Sequence, residues 1–154
     1  MEVNLRKAEP DDAASISILF SSTIRAINSK DYDPHQIKVW SEVPDSGRWV
    51  KKISEQYFVL AEENVLLGFA SLADDGLVDF FFVHKDYQGR KIGTTLMNEI
   101  EKIAKQKNIN RLYAEVSITA RPFFESRGFK LIKVFIKVFK ETEFIDNLME
   151  KNLT

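Results

Sequence analysis

The stretch "VDFFFVHKDYQGRKIGTTLM", Val78 to Met97, changes character three times. An apolar run reads as a strand, and a charged turn follows with Gln88, Gly89, Arg90, Lys91 and Gly93. Ile92, Leu96, Ile100 and Ile103 then recur on one face of a helix. A helix that starts directly after a strand leaves its first backbone N–H groups without partners, and those groups carry the positive end of the macrodipole. Gly89 and Gly93 remove side chains where phosphates would collide, while Arg90 and Lys91 add cationic donors. The turn suits a diphosphate, although two glycines and two solvated bases read equally well as a surface turn.

Working outward, "VNLRKA" alternates as a first strand, and Pro10, Asp11 and Asp12 signal a helix start, with Ile16, Phe20, Ile24 and Ile27 at helical spacing. Asp33 and Pro34 open a second helix that Pro44 interrupts, and Asp45 restarts one carrying Trp49, Val50 and Ile53. "YFVLAEE" and "VLLGFASLA", joined at Glu63 and Asn64, precede "GLVDFFFVH" as three strands of an antiparallel meander. After the helix from Ile92 come a strand "RLYAEVS", a short helix from Thr119 to the stop at Gly128, and two closing segments, "FKLIKVFIKVF" and "EFIDNLM". Both read as strands, the last with a pattern that also suits a helix. The order is β-α-α-β-β-β-α-β-α-β-β, an α/β mixture.

Composition bounds the function. A chain of 154 residues is most economically one domain, residues 1–154. A formal charge of −1 supplies no global field for nucleic acid or a membrane surface, so an anion site must be local. Three or four hydrogen bonds from N–H groups to phosphate, each worth about 1.5–3 kcal/mol, suffice for micromolar affinity at about 8 kcal/mol. The absence of cysteine removes a thiolate nucleophile and a sulfur ligand set and fits the cytoplasm. The first residues lack an apolar signal core, and no apolar run approaches the roughly 18 residues that span a bilayer. Two isolated histidines, His35 and His84, argue for surface or turn roles and against a metal site. Neither phosphate-loop nor dinucleotide glycine signatures occur, which counts against nucleoside triphosphatase and nicotinamide-dependent chemistry.

Two segments together resemble the GNAT superfamily of acyl-CoA-dependent N-acetyltransferases. "QGRKIG", Gln88 to Gly93, is similar to the family's Gln/Arg-x-x-Gly-x-Gly/Ala pyrophosphate loop. "ARPFFESRGF", Ala120 to Phe129, is similar to its second motif, Ala-x-x-Phe-Tyr-x-x-x-Gly-Phe. The element order agrees over nearly the whole chain. The resemblance implies a central, mostly antiparallel twisted sheet of about seven strands flanked by helices, splayed between the fourth and fifth strands, with acetyl-CoA inserted there. It implies that Phe81 and Val83 face the cofactor, Val83 through backbone groups, and that the N–H groups of Gly89, Arg90, Lys91, Ile92, Gly93 and Thr94, following Gln88, hold the pyrophosphate. Phe123 and Phe124 would line the wall. Three positions depart from the pattern. Lys91 replaces a glycine and is expected to keep an ordinary φ, Phe124 stands where many members have a tyrosine that protonates the thiolate, and Ser117 replaces an asparagine that contacts the cofactor.

Acetyl transfer to an amine requires the neutral amine, yet an ammonium with a pKa of about 10.4 is almost wholly charged at pH 7. Asp79, inside "LVDFFFV" and expected on the strand face of Phe81 and Val83, is the candidate base; a carboxylate satisfied by an arginine or by backbone groups is the structural alternative. The leaving thiolate resembles cysteine, with a pKa of about 8.5, and departs tolerably without an acid, so Ser117, Tyr87 or water can supply what Phe124 lacks. Tyr32, Trp40 and Trp49 fit either an acceptor pocket or helix-spaced core. The leading expectation is direct acetyl transfer from acetyl-CoA to a small-molecule or peptide amine, without metal. A catalytically silent acyl-CoA sensor competes with it, and an anion-binding module unrelated to coenzyme A leaves the second motif unexplained. "KLIKVFIKVF" is apolar enough for a homodimer, and a buried strand would look the same.

Overall fold

In the computed structural model, which describes residues 2–42 and 46–154, the chain runs β1 (Asn4–Lys7), α1 (Ala13–Ala26), α2 (Pro34–Ser41), α3 (Ser46–Glu55), β2 (Tyr57–Glu63), β3 (Val65–Leu72), β4 (Val78–Val83), α4 (Ile92–Gln106), β5 (Arg111–Val116), α5 (Arg121–Ser126), β6 (Lys130–Phe139) and β7 (Thr142–Asn152). The expected break at Pro44 and restart at Asp45 lie outside the described residues, and the segment beyond them forms a third early helix of its own. Asp33 opens α2 as a reciprocal cap: its carboxylate accepts the Gln36 N–H at 2.8 Å, and Gln36 Oε1 accepts the Asp33 N–H at 2.9 Å. The start at Pro10 is a short 3-10 turn before α1, and Asp12 gives its carboxylate to Arg6 at 2.8 Å instead of capping the helix.

Among the described residues seven strands form two antiparallel sheets, in the orders β1-β2-β3-β4 and β5-β7-β6. Alternation in β2 sends Phe58 and Leu60 to one face of the first sheet, where α1 and α3 bury Ile16, Ile24 and Trp49 against them. Val59 and Ala61 take the other face, where α4 buries Leu96, Met97 and Ile100. The final segment is a strand because it lies between two partners: Tyr113 pairs with Glu150 on one side, and Ile136 with Ile145 on the other. The apolar β6 is an exposed sheet edge, with Val134, Ile136 and Val138 53%, 61% and 65% accessible. Among the described residues no helix is long and apolar enough to cross a membrane.

The splay is real and its origin is local. Between the sheets, β4 and β5 are joined by one parallel bridge, Leu77 to Tyr113, with the Tyr113 N–H donating to the Gly76 carbonyl at 3.1 Å. Gly76 has φ +99°, and a Cβ there would stand 2.2 Å from the Arg111 carbonyl oxygen. The chain crosses at van der Waals contact and then diverges, leaving the rest of β4 without a partner on that side. Gly76→Ala combines a left-handed backbone with a clash against main chain, and urea denaturation is expected to show a loss of about 3 kcal/mol or more.

Candidate active site

The gap opened by the splay is a cleft of about 710 Å³ that runs from the early helices to the start of α4. It brings together Asp79, Phe81, Val83, Gln88, Gly89, Lys91, Ile92, Gly93, Thr94, Ser117, Phe123 and Phe124. Arg90 stays outside the lining, its guanidinium over the Tyr87 ring at 5.3 Å.

The anion-binding end is built by the turn. Gly89 has φ +72° and Lys91 φ +63°, with Arg90 between them outside the positive-φ region. Such alternation turns successive N–H groups to one side as an anion-binding nest. Lys91 therefore does not keep an ordinary φ: it adopts the glycine-like conformation that the turn demands, at a cost of about 1–2 kcal/mol. It is the N-cap of α4, no side chain caps the helix, and the N–H groups of Ile92, Gly93 and Thr94 precede the first intrahelical bond, from Thr95 N to Lys91 O at 3.0 Å. A buried Ile92 side chain anchors this start in the core, so only its backbone is on offer. Gly93 sits under Phe123, whose ring would be 3.2 Å from an added Cβ.

Along β4, the His84 N–H bonds to Leu67 O at 2.8 Å, so in this antiparallel register Phe81 and Val83 turn their own N–H and C=O groups away from β3 into the gap. The Val83 carbonyl is already engaged by Gln88 Nε2 at 2.8 Å and Thr23 Oγ1 at 3.3 Å, which leaves its N–H. Gln88 thus ties the turn to the strand. Phe81 packs against Phe123 and Phe124 with centroids at 5.4 and 5.5 Å, and Phe124 is itself buried against Phe129. The Ser117 hydroxyl accepts the Ala120 N–H at 3.1 Å and holds the entry to α5; Thr119, expected to start that helix, instead donates to Asp31 at 2.7 Å.

Asp79 is not on the face of Phe81 and Val83. The β3–β4 register slips between Ala70 and Leu72, so Asp79 and Phe80 together oppose Ser71 as a bulge. The carboxylate consequently meets the early helical segment, with Lys52 Nζ at 3.4 Å and Gln56 Nε2 at 2.8 Å. His84 accepts the Asp86 N–H at 3.0 Å in the turn, and His35 contacts Thr142 at 3.2 Å. Among the described residues no cluster of histidine and carboxylate side chains could hold a metal ion.

Sequence reasoning missed one titratable group in this cleft, Asp146, and left Tyr32 open between acceptor pocket and core. Asp146, on β7, is pushed up to about 6 by burial, with Glu115 adding to the rise, while the Asn147 N–H and Lys137 oppose it. Tyr32, after α1, accepts the Ile118 N–H at 2.9 Å, and burial with the charges of Asp146 and Asp31 pushes its phenol up. Nothing in the spacing of Asp146 announces it, because the groups that meet it come from both ends of the chain.

A family model for the acetyltransferase (GNAT) domain matches residues 28–151. The chain belongs to the GNAT acetyltransferases. It is 29% identical over 132 residues to "Uncharacterized N-acetyltransferase YafP" of Escherichia coli, covering 85% of this chain and 83% of that one. Its fold matches a GCN5-related N-acetyltransferase from Rhodopseudomonas palustris with a TM-score of 0.94 at 30% identity, over 99% of this chain and 97% of the other. A PaiA N-acetyltransferase from Thermoplasma acidophilum, solved in complex with coenzyme A, matches at 0.82 and 22% identity over 99% of both chains, a likeness of fold.

In this GNAT chain the raised Asp146 carries a stability signature of definite sign. Its folded pKa of about 6 exceeds the usual carboxylate value, so the folded state prefers the neutral form. The group's contribution is intact below about pH 4 and is lost as pH rises through about 6. Asp146→Asn, which cannot ionise, is expected to be more stable than the parent at pH 8 by roughly 1–2 kcal/mol after screening by cleft solvent, with the difference shrinking toward pH 4 in urea denaturation.

Proposed function

We propose that this chain transfers the acetyl group of acetyl-CoA directly to the nitrogen of an acceptor amine, as a single domain without a covalent enzyme intermediate or a metal. The observation that carries the reading is the continuity of the cleft: one trough joins uncapped N–H groups at Gly89–Thr94, suited to a pyrophosphate, to the outward-facing strand edge at Phe81 and Val83, suited to an amide-bearing arm. Relatives named as N-acetyltransferases, and a fold neighbour bound to coenzyme A, agree with that assignment.

The residues divide the work along the trough. Gly89, Arg90, Lys91, Ile92, Gly93 and Thr94 bind the diphosphate through main chain and charge, and Gln88 holds that turn against Val83. Phe81, Phe123 and Phe124 exclude water beside the acyl-bearing arm. The Val83 N–H is placed to polarise the thioester carbonyl as negative charge gathers on its oxygen. The attacking nitrogen forms a bond to the acetyl carbon, the carbon–sulfur bond breaks, and the electron pair leaves on sulfur. Ser117, whose hydroxyl accepts the Ala120 N–H and also hydrogen-bonds Tyr32, is the side chain of this trough that can pass a proton toward the departing sulfur.

One feature favours a second reading, an acyl-CoA-binding sensor: Phe124 presents a bare ring where a proton donor would aid the thiolate. Calorimetric titration with acetyl-CoA, followed by thiol-release assays with an amine panel, separates the two. Micromolar binding with amine-dependent thiol release is the expected result. Binding without release from any amine would favour the sensor, and no binding would refute both. Lys91→Glu reverses a charge in the cleft lining at a backbone the side chain does not control, and it is expected to weaken acetyl-CoA at least about tenfold.

A further inference from the structure

The end of the cleft away from α4 has chemistry of its own. Three rings meet there: Trp40 stands edge to face with Tyr32 at 5.3 Å and with Phe144 at 6.2 Å, and Tyr32 and Phe144 are tilted to each other at 6.2 Å. Asp146 follows Phe144 by two residues on β7, so both project from the same sheet face, and all four side chains line the cleft that holds Gly93 and Phe123. The Asp146 Oδ1 atom accepts the Asn147 N–H at 3.0 Å. Among the described residues no ion pair reaches this carboxylate, and Oδ2 has no hydrogen-bond partner. Lys137, whose charge acts on it, holds Glu115 at 2.7 Å, and Arg121 reaches Asn147 Oδ1 at 3.1 Å. Asp79 differs in kind, because Lys52 and Gln56 already occupy it.

We propose that Asp146, ringed by Tyr32, Trp40 and Phe144, is the acceptor subsite: its carboxylate receives a primary amine as the ammonium ion and takes a proton from it, and the rings hold an alkyl or aryl body. The inference rests on the acetyl-transfer reading and adds to it the acceptor class and the base. A carboxylate beside aromatic faces attracts a cation from two directions. The ammonium gives one proton to Asp146, its freed lone pair forms the nitrogen–carbon bond, and the carbon–sulfur bond breaks with its electrons on sulfur. The second proton lost by nitrogen neutralises the thiolate through solvent, and Asp146 returns its own proton to water. The charged and titratable groups that face Asp146 are Glu115 from β5, Lys137 from β6 and the neutral Tyr32 phenol; burial and Glu115 make it a stronger proton acceptor than an exposed carboxylate.

The test uses the full chain with 2-phenylethylamine, hexylamine and glutamate as acceptors between pH 5 and 9, in the parent, Asp146→Asn and Asp79→Asn, with acetyl-CoA affinity measured on each by calorimetry. The two apolar amines are expected to exceed glutamate at least tenfold in kcat/KM. Asp146→Asn is expected to lose about 100-fold or more in kcat together with the ionisation near pH 6, while acetyl-CoA affinity changes less than about threefold. A misfolded variant would lose the affinity as well. Retention of the parental rate and pH profile by Asp146→Asn, their loss in Asp79→Asn alone, or a preference for glutamate would overturn the proposal. A parent that acetylates other amines of the wider panel but neither apolar amine refutes this subsite alone; a parent that binds no acetyl-CoA, or binds it and releases thiol with no amine of the panel, refutes the reading beneath it.

Discussion

Gly76 pressed against the Arg111 carbonyl is the contact on which the rest of the site depends. It joins the two sheets at one point, through the Tyr113 N–H, and from there β4 and β5 part. A continuous sheet would pair the outward backbone groups of Phe81 and Val83 with β5 and bury them. Because the strands diverge, those groups line a trough. A ligand that hydrogen-bonds like a strand can occupy it, and the energetic penalty of an open sheet edge becomes binding capacity.

Charge follows the same economy of place. The chain as a whole carries −1, so its attraction for a polyanion comes from a few oriented dipoles. The left-handed residues at Gly89 and Lys91 aim N–H groups at one point, and the uncapped start of α4 adds the positive end of a fifteen-residue helix. Lys91 shows that the geometry outranks local comfort: a residue with a Cβ is held at φ +63° because α4 is fastened below it by Ile92, Leu96 and Met97 in the core. At the other end of the trough the partly buried carboxylate of Asp146 adds negative charge where the acceptor would enter.

Much of this is legible in the sequence where chemistry is local. The strand, turn and helix of Val78–Met97 and the short helix ending at Gly128 follow from period and punctuation, while the splayed seven-strand architecture is what the resemblance carried by the two motifs implies. Features that depend on register are hidden. The bulge opposite Ser71 turns Asp79 to the early helical segment, and no alternation of "LVDFFFV" betrays it. The conformation of Lys91 is imposed by the helix behind it. Trp49 and Trp40 read alike at helical spacing, yet Trp49 is core and Trp40 lines the cleft, because α3 packs Trp49 against Phe58 and Phe69 of the first sheet while α2 brings Trp40 to Phe144 of β7. Asp146 escapes notice for the plainest reason: its importance comes from Tyr32 and Glu115, which only the fold brings to it.

The most direct test of the central claim, that the splay and the start of α4 together form the coenzyme A site, is amide hydrogen exchange with and without saturating coenzyme A. The account predicts slowed exchange at Val83 and across Gly89–Thr94, with the exposed edge β6 unchanged. Unchanged exchange at Gly89–Thr94 under saturation, or protection confined to another part of the chain, would contradict it.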